Sequence, residues 1–515
     1  MIDFRRGLCC SLLASVWVAA CGSTAPSPES SGAAGVSGVS GVNGGSAGHV
    51  PGAASASAAG ASTDGGSLSS NGGEPAGPGD GGLGGTSGIG GFGGASGGSG
   101  ANAAGQGGGP SACSGTVTFS DPKLEAAIRA AAALPDGPIL ASALNALKSL
   151  FAADRGIQSL AGLECAKALG SIDLSSNQIV DLSPLRALPA LYSLKLDDNQ
   201  IVDLKPLGDL AKLDTLTLSG NAIVDVAPLA VLHSLLRLNL ARNQLSSVST
   251  LGALSTLVSL DLSSNPLGDE SALGNLINLK ELYLASTGVA SITWLSTLKK
   301  LQIVDLANDG LSDVSTLANL SELLKLDLRN NALKDVTAVQ NLSKLVSLNL
   351  RKNPLKDVKA AFLGTHPSLL FLDLGETELQ TDFFLSSLQL EALWLDSTLI
   401  TSFEGPTTLS QLNTLSLAST AVTDFSRLAR FPALAHVVLD HTAIADLSPL
   451  SGLAKLNDVS LVATQVTELQ PLVANSAFAT ASRLDLSSNA LDCTAQAANL
   501  GALKTRGVSV KSACQ

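Results

Sequence analysis

Aromatic side chains make up only 3% of this 515-residue chain, and charged ones only 14%. Both fractions are low for one compact globule and suit a thin, repetitive core. Positive charge is also scarce. Lysine and arginine number 31 against 43 aspartates and glutamates, a formal balance of −12. No basic stripe emerges to neutralise phosphates, which argues against a nucleic-acid partner. No Walker loop or H-E-x-x-H is present, and G-x-S-x-G occurs only in the Gly-rich stretch before Cys113, with no predicted strand before it or helix after it, whereas catalysis needs titratable groups converging in a pocket. The seven cysteines and five histidines form no cluster at zinc-ligand spacing. Neither an enzyme nor a cofactor nor a metal is expected.

What the chain has instead is a period. Asn177, Asn199, Asn221, Asn243, Asn265, Asn331 and Asn353 share one 22-residue register, each in a phrase of the form LxxLxLxxNxL such as LPALYSLKLDDNQI. A fixed period with this phrase is the signature of a leucine-rich-repeat solenoid, an α/β fold. Counted with Arg155, Thr287 and Asp309 on the same register, then Thr377, Thr398, Thr420, Thr442, Thr464 and Asn489 after small slips, there are about sixteen turns. In the turn beginning at Leu191, alternation puts Leu194 and Leu196 inward and Ser193, Lys195 and Asp197 outward, forming a parallel sheet. Asn199 points inward, where its amide can meet backbone groups. The return leg Asp203-Leu204-Lys205-Pro206-Leu207 reads as a short helical turn with proline preset at its start.

The two ends differ from the middle. Arg5 and Arg6 precede Leu8–Ala20, an apolar stretch too short to cross a bilayer, so residues 1–20 read as an export signal. It closes on Val18-Ala19-Ala20-Cys21, which resembles the lipobox of bacterial lipoproteins. That resemblance implies a lipidated Cys21 at the mature N-terminus, anchored in a lipid bilayer of the cell envelope, in the outer membrane or at the cell surface. Residues 21–112 are Gly/Ser/Ala-rich and nearly uncharged, as expected of a disordered tether. Asp121 and Pro122 then signal a helix start, with Leu124, Ala127, Ile128 and Ala131 on one face. A second piece carries Leu140, Leu144 and Leu147, so residues 113–147 form an N-terminal helical cap. Repeats occupy 148–490, and 491–515 form a C-terminal cap. Of the cysteines left after export and lipidation, Cys113 and Cys165 lie near the start and Cys493 and Cys514 at the end. Three pairings are possible in principle. A solenoid whose ends lie far apart permits only the local one, Cys113–Cys165 and Cys493–Cys514.

The 22-residue phrase, the D-[LV]-x-P-L return leg (at Asp181, Asp225 and Asp446) and the helical cap resemble internalin-like bacterial leucine-rich-repeat proteins from about Phe119 to Val510. The resemblance implies a curved, right-handed solenoid with the sheet on its concave face, helical turns on its convex face, and a protein partner bound to the concave side. The tether and the cysteine-bearing ends depart from that family, so a role in host invasion does not carry over.

Binding would therefore involve the outward strand positions. Aromatic and arginine side chains dominate binding hot spots, which singles out Tyr192, Tyr283, Phe371 and Trp394, beside Lys195. Lys325, Arg329, Arg351 and Lys352 read as a basic patch over two turns. Alternatives to a protein partner are a spacer role in the envelope, or a glycan or cell-wall ligand stacked on Tyr283 and Trp394. His436 and His441 project from one turn with Asp440 between them, a surface feature or at most a weak metal site. The ladder residue changes from Asn to Thr across Thr377–Thr464, and with the slipped period this predicts a seam or altered curvature near Asn353–Thr398.

Overall fold

A computed structural model describes residues 113–514, except 359–361, 363–365, 383, 384, 386, 387 and 405–408. The expected export signal, the lipidated Cys21 and the tether through residue 112 lie outside the described residues.

The cap begins with a two-residue antiparallel pairing of β1 (Thr116–Val117) and β2 (Ile139–Leu140). Between them runs α1 (Pro122–Ala132), capped by Asp121, whose Oδ1 accepts the Lys123 N–H at 2.8 Å. The other carboxylate oxygen accepts the Gln158 and Ser159 N–H groups at 2.6 and 3.2 Å. One side chain thus starts the helix and ties it to the first repeat. Leu124, Ala127 and Ile128 are buried as expected, but Ala131 is exposed and its neighbour Ala132 packs against the core. In the second piece, α2 (Ala141–Ala146), Leu144 is buried, while Leu140 stands in β2 before the helix and is about half exposed.

Seventeen three-residue strands follow, from Ser149–Phe151 to Ser509–Lys511, each parallel to its sequence neighbours. No ladder joins the first strand to the last, so the sheet is open. In every strand but the last the central residue, such as Leu194 or Leu260, is buried and stacks on its counterparts, because a single turn cannot bury its apolar side alone. Most return legs are five-residue 3-10 helices, such as Lys205–Asp209, and the leg Gln470–Ala474 is α-helical. The aspartate opening each D-[LV]-x-P-L leg caps it: Asp181, Asp203, Asp225 and Asp446 accept the N–H two residues on, at 2.8 to 2.9 Å.

The ladder divides by residue type. Asn199 Nδ2 donates to the carbonyls of Leu174 and Leu196 at 3.0 and 3.1 Å, and its Oδ1 accepts the Ile179 N–H at 3.0 Å, so one amide bonds two turns. Thr377, Thr398, Thr420 and Thr442 each donate only to a carbonyl of their own turn, Leu374, Leu395, Leu417 and Leu439, at 2.6 to 2.7 Å. The expected seam is absent from the sheet. Strand register runs unbroken from Ser347–Asn349 through Phe371–Asp373 and Ala392–Trp394 to Thr414–Ser416, so the slips in period fall between the strands.

Both expected disulfides are formed, with Cα atoms 5.2 Å apart for Cys113–Cys165 and 5.3 Å for Cys493–Cys514. The second closes a segment that is more than a cap. Its helix Ala497–Thr505 leads into the strand Ser509–Lys511, which adds one more rung to the sheet.

Candidate binding surface

Strand pleating turns two outward columns toward solvent, and parallel register sets like positions side by side. Along one column the order is Asp261, Tyr283, Asp305, Asp327, Asn349, Asp373, Trp394. Four carboxylates thus share a row with two aromatic rings. Asp327 and Asp373 are buried, at 8% and 2% exposure. Burial, and then the charge of Asp305, holds the Asp327 carboxyl well above the usual carboxylate range. Burial likewise lifts Asp373, to about 6. The Tyr283 phenol is pushed up to about 12 by burial and by the nearby charges of Glu281, Asp261 and Asp305.

The next outward column supplies counter-charge. Arg351 donates from Nε and Nη2 to Glu376 Oε1 at 3.0 and 2.8 Å and also pairs with Asp396. Its Nη1 lies 3.7 Å from Asp373. One guanidinium therefore bridges three acids across neighbouring turns, the fork geometry that arginine alone provides. Arg329 Nε lies 3.5 Å from Asp327.

The sequence matches no family model and no curated protein. Solved structures do match. An internalin of Listeria monocytogenes is 25% identical, covering 70% of this chain and 94% of its own, with a TM-score of 0.50. This chain shares the leucine-rich-repeat fold and is similar to internalins. A leucine-rich-repeat protein of Leptospira interrogans shares the fold at 24% identity and a TM-score of 0.61, over 72% of this chain and 98% of its own. So does a plant peptide hormone receptor, solved in complex with RGF2, at 22% identity and a TM-score of 0.50, over 63% and 60%.

In this leucine-rich-repeat chain the residues singled out by sequence fall into two groups. Tyr283, Lys325, Arg329, Arg351, Lys352, Phe371 and Trp394 lie on or beside six consecutive strands, Glu281–Tyr283 to Ala392–Trp394. Tyr192 and Lys195 lie apart, Lys195 in the strand Ser193–Lys195 and Tyr192 just before it. Tyr192 is half exposed, and its ring lies where a Cβ on Gly170 would stand, 2.6 Å from that position. Lys195 sits 3.7 Å from Asp173 on the adjacent strand. The basic patch is corrected by its surroundings: its arginines are engaged by Asp327, Asp373, Glu376 and Asp396 and present no excess of positive charge. Asp327 and Asp373 are outward by strand alternation alone, but that they, Glu376 and Asp396 meet the arginines follows only from the stacking of successive turns.

His436 and His441 both lie at the surface. His436 Nδ1 is 3.6 Å from Asp458 on the next strand, and Asp440 Oδ1 accepts the Ser460 hydroxyl and the Val462 N–H at 2.7 and 2.8 Å. Among the described residues no group of three or more metal-ligating side chains occurs.

Proposed function

We propose that this is an exported, lipid-anchored, non-catalytic surface protein that binds a protein partner through the outward face of its sheet. The observation that carries the reading is the tract from Tyr283 to Trp394, where half-buried rings flank a charge-paired row on six short strands. Rigid aromatic and arginine side chains held by packing are what binding surfaces use as anchors. The plant receptor of the same fold, solved with its peptide, supports a protein or peptide ligand over other classes. A glycan bridging both rings is disfavoured, since Tyr283 and Trp394 stand five strands apart, roughly 24 Å. Anchoring rests on the lipobox-like Val18-Ala19-Ala20-Cys21. Among the described residues no helix is long and apolar enough to cross a membrane.

The test is partner capture with the full chain and with a Tyr283→Ala, Trp394→Ala, Arg329→Ala, Arg351→Ala variant. Recovery of surface proteins by the native chain alone supports the concave-face reading, and equal recovery by both sinks it. A Cys21→Ser chain that still fractionates with membranes refutes the lipid anchor.

A further inference from the structure

In an asparagine turn the ladder amide accepts through its oxygen and donates through its nitrogen. Asn331 Oδ1 accepts the N–H groups of Asp309 and Leu311 at 3.2 and 2.9 Å, while Nδ2 donates to the carbonyls of Leu306 and Leu328 at 2.8 and 2.9 Å. Asp309 occupies the same ladder place one turn earlier. Its Oδ1 does the work of the amide oxygen, accepting the N–H groups of Thr287 and Gly288 at 2.7 and 2.8 Å and lying 3.2 Å from the Thr287 hydroxyl. Its Oδ2 therefore stands where an amide nitrogen would, at a place that in neighbouring turns faces backbone carbonyls. It is buried and without a hydrogen-bond partner.

A carboxylate there would set negative charge against carbonyl lone pairs in a place water does not reach, a costly arrangement. No cation offsets it. The charged groups whose fields it shares are Glu270 and Asp305, both acidic, and its ladder neighbours Thr287 and Asn331 are neutral. A carboxylic acid removes the conflict, because its O–H is a donor at the position where the ladder needs one.

We propose that Asp309 is carried in the folded chain as the neutral acid, its Oδ2–H donating to the Leu306 carbonyl while the Leu284 carbonyl accepts the Thr287 hydroxyl at 2.7 Å, and that losing this proton loosens the joint between the turn of Thr287 and its own. Burial acts in the same direction, raising the carboxyl above its ordinary value. Because the proton is held more tightly folded than unfolded, the stabilisation is complete below the ordinary aspartate value and is lost as pH rises through the raised one. Each turn of a solenoid touches only its neighbours, so one weakened joint separates the stack into two blocks.

Hydrogen exchange of the Thr287 and Gly288 amides reads the joint directly. In the full chain, protection corrected for intrinsic exchange is expected to fall with rising pH, by up to about tenfold per pH unit, until Asp309 ionises in the folded state. The Ile179 amide, bonded to Asn199, serves as a control that stays flat. Asp309→Asn, which restores the donor permanently, should hold Thr287 and Gly288 flat as well. Should that variant not fold, Asp309→Thr makes the same comparison with a residue the ladder already uses at Thr377. Persistence of the native pH dependence in either variant overturns the proposal, as does a native chain whose protection does not change.

Discussion

Asp305 and Asp327 stand directly opposite one another on adjacent parallel strands, at the middle of the outward face. Burial raises both carboxyls, and the charge of Asp305 adds to it at Asp327, so the proton is bound more tightly in the folded state at both positions. Stability from this pair is fully present below the ordinary aspartate range and is lost as pH rises through the raised values.

Asp327→Asn removes one charge and keeps the shape. Thermal or urea unfolding at pH 8 is expected to show a gain of about 1 kcal/mol, shrinking toward zero at pH 4. A gain that is the same at both pH values would show that charge repulsion is not its source.

Arg351→Ala strips the counter-charge from Asp373, which is 2% exposed. A loss of about 2 kcal/mol is expected, below the value for a fully buried pair because the guanidinium is itself 28% exposed. Arg351→Lys should recover only part of it, since an ammonium cannot fork between Glu376 and Asp396. Urea unfolding of the three chains at neutral pH checks the order.

The two kinds of ladder residue should differ in worth. Asn243→Ala leaves the carbonyls of Leu218 and Leu240 and the N–H of Ile223 without their amide partner, at a cost of about 3 kcal/mol or more. Thr420→Val loses one bond, to Leu417, and should cost about 1 kcal/mol. Equal losses by chemical denaturation would mean that the asparagine amide does not couple turns.

Cys493 and Cys514, replaced together by serine, free a segment whose ends are 21 residues apart. Chain entropy predicts a loss of about 3 kcal/mol. It should appear first as faster exchange in the strand Ser509–Lys511, while the Ser193–Lys195 strand is unaffected.

Much of this was legible before any fold was known. The period, the inward leucines, the Asp121 cap and the cysteine pairs follow from local chemistry: a phrase repeated at one spacing has to place like residues side by side, and ends far apart can only close locally. Ala131 was misplaced because helical spacing alone does not say which of two adjacent alanines meets the core. The slipped period suggests a seam, but backbone ladders keep the sheet in register across it.

The sequence by itself determined the solenoid and the residues it turns outward. Only the tertiary structure decided their charge state. Asp305 and Asp327 are 22 residues apart in the chain and directly opposed in the sheet, Arg351 reaches acids on later turns, and Asp309 sits among groups that want a donor. Ionisation depends on burial and on neighbours brought close by stacking, and neither is a property of one turn read alone.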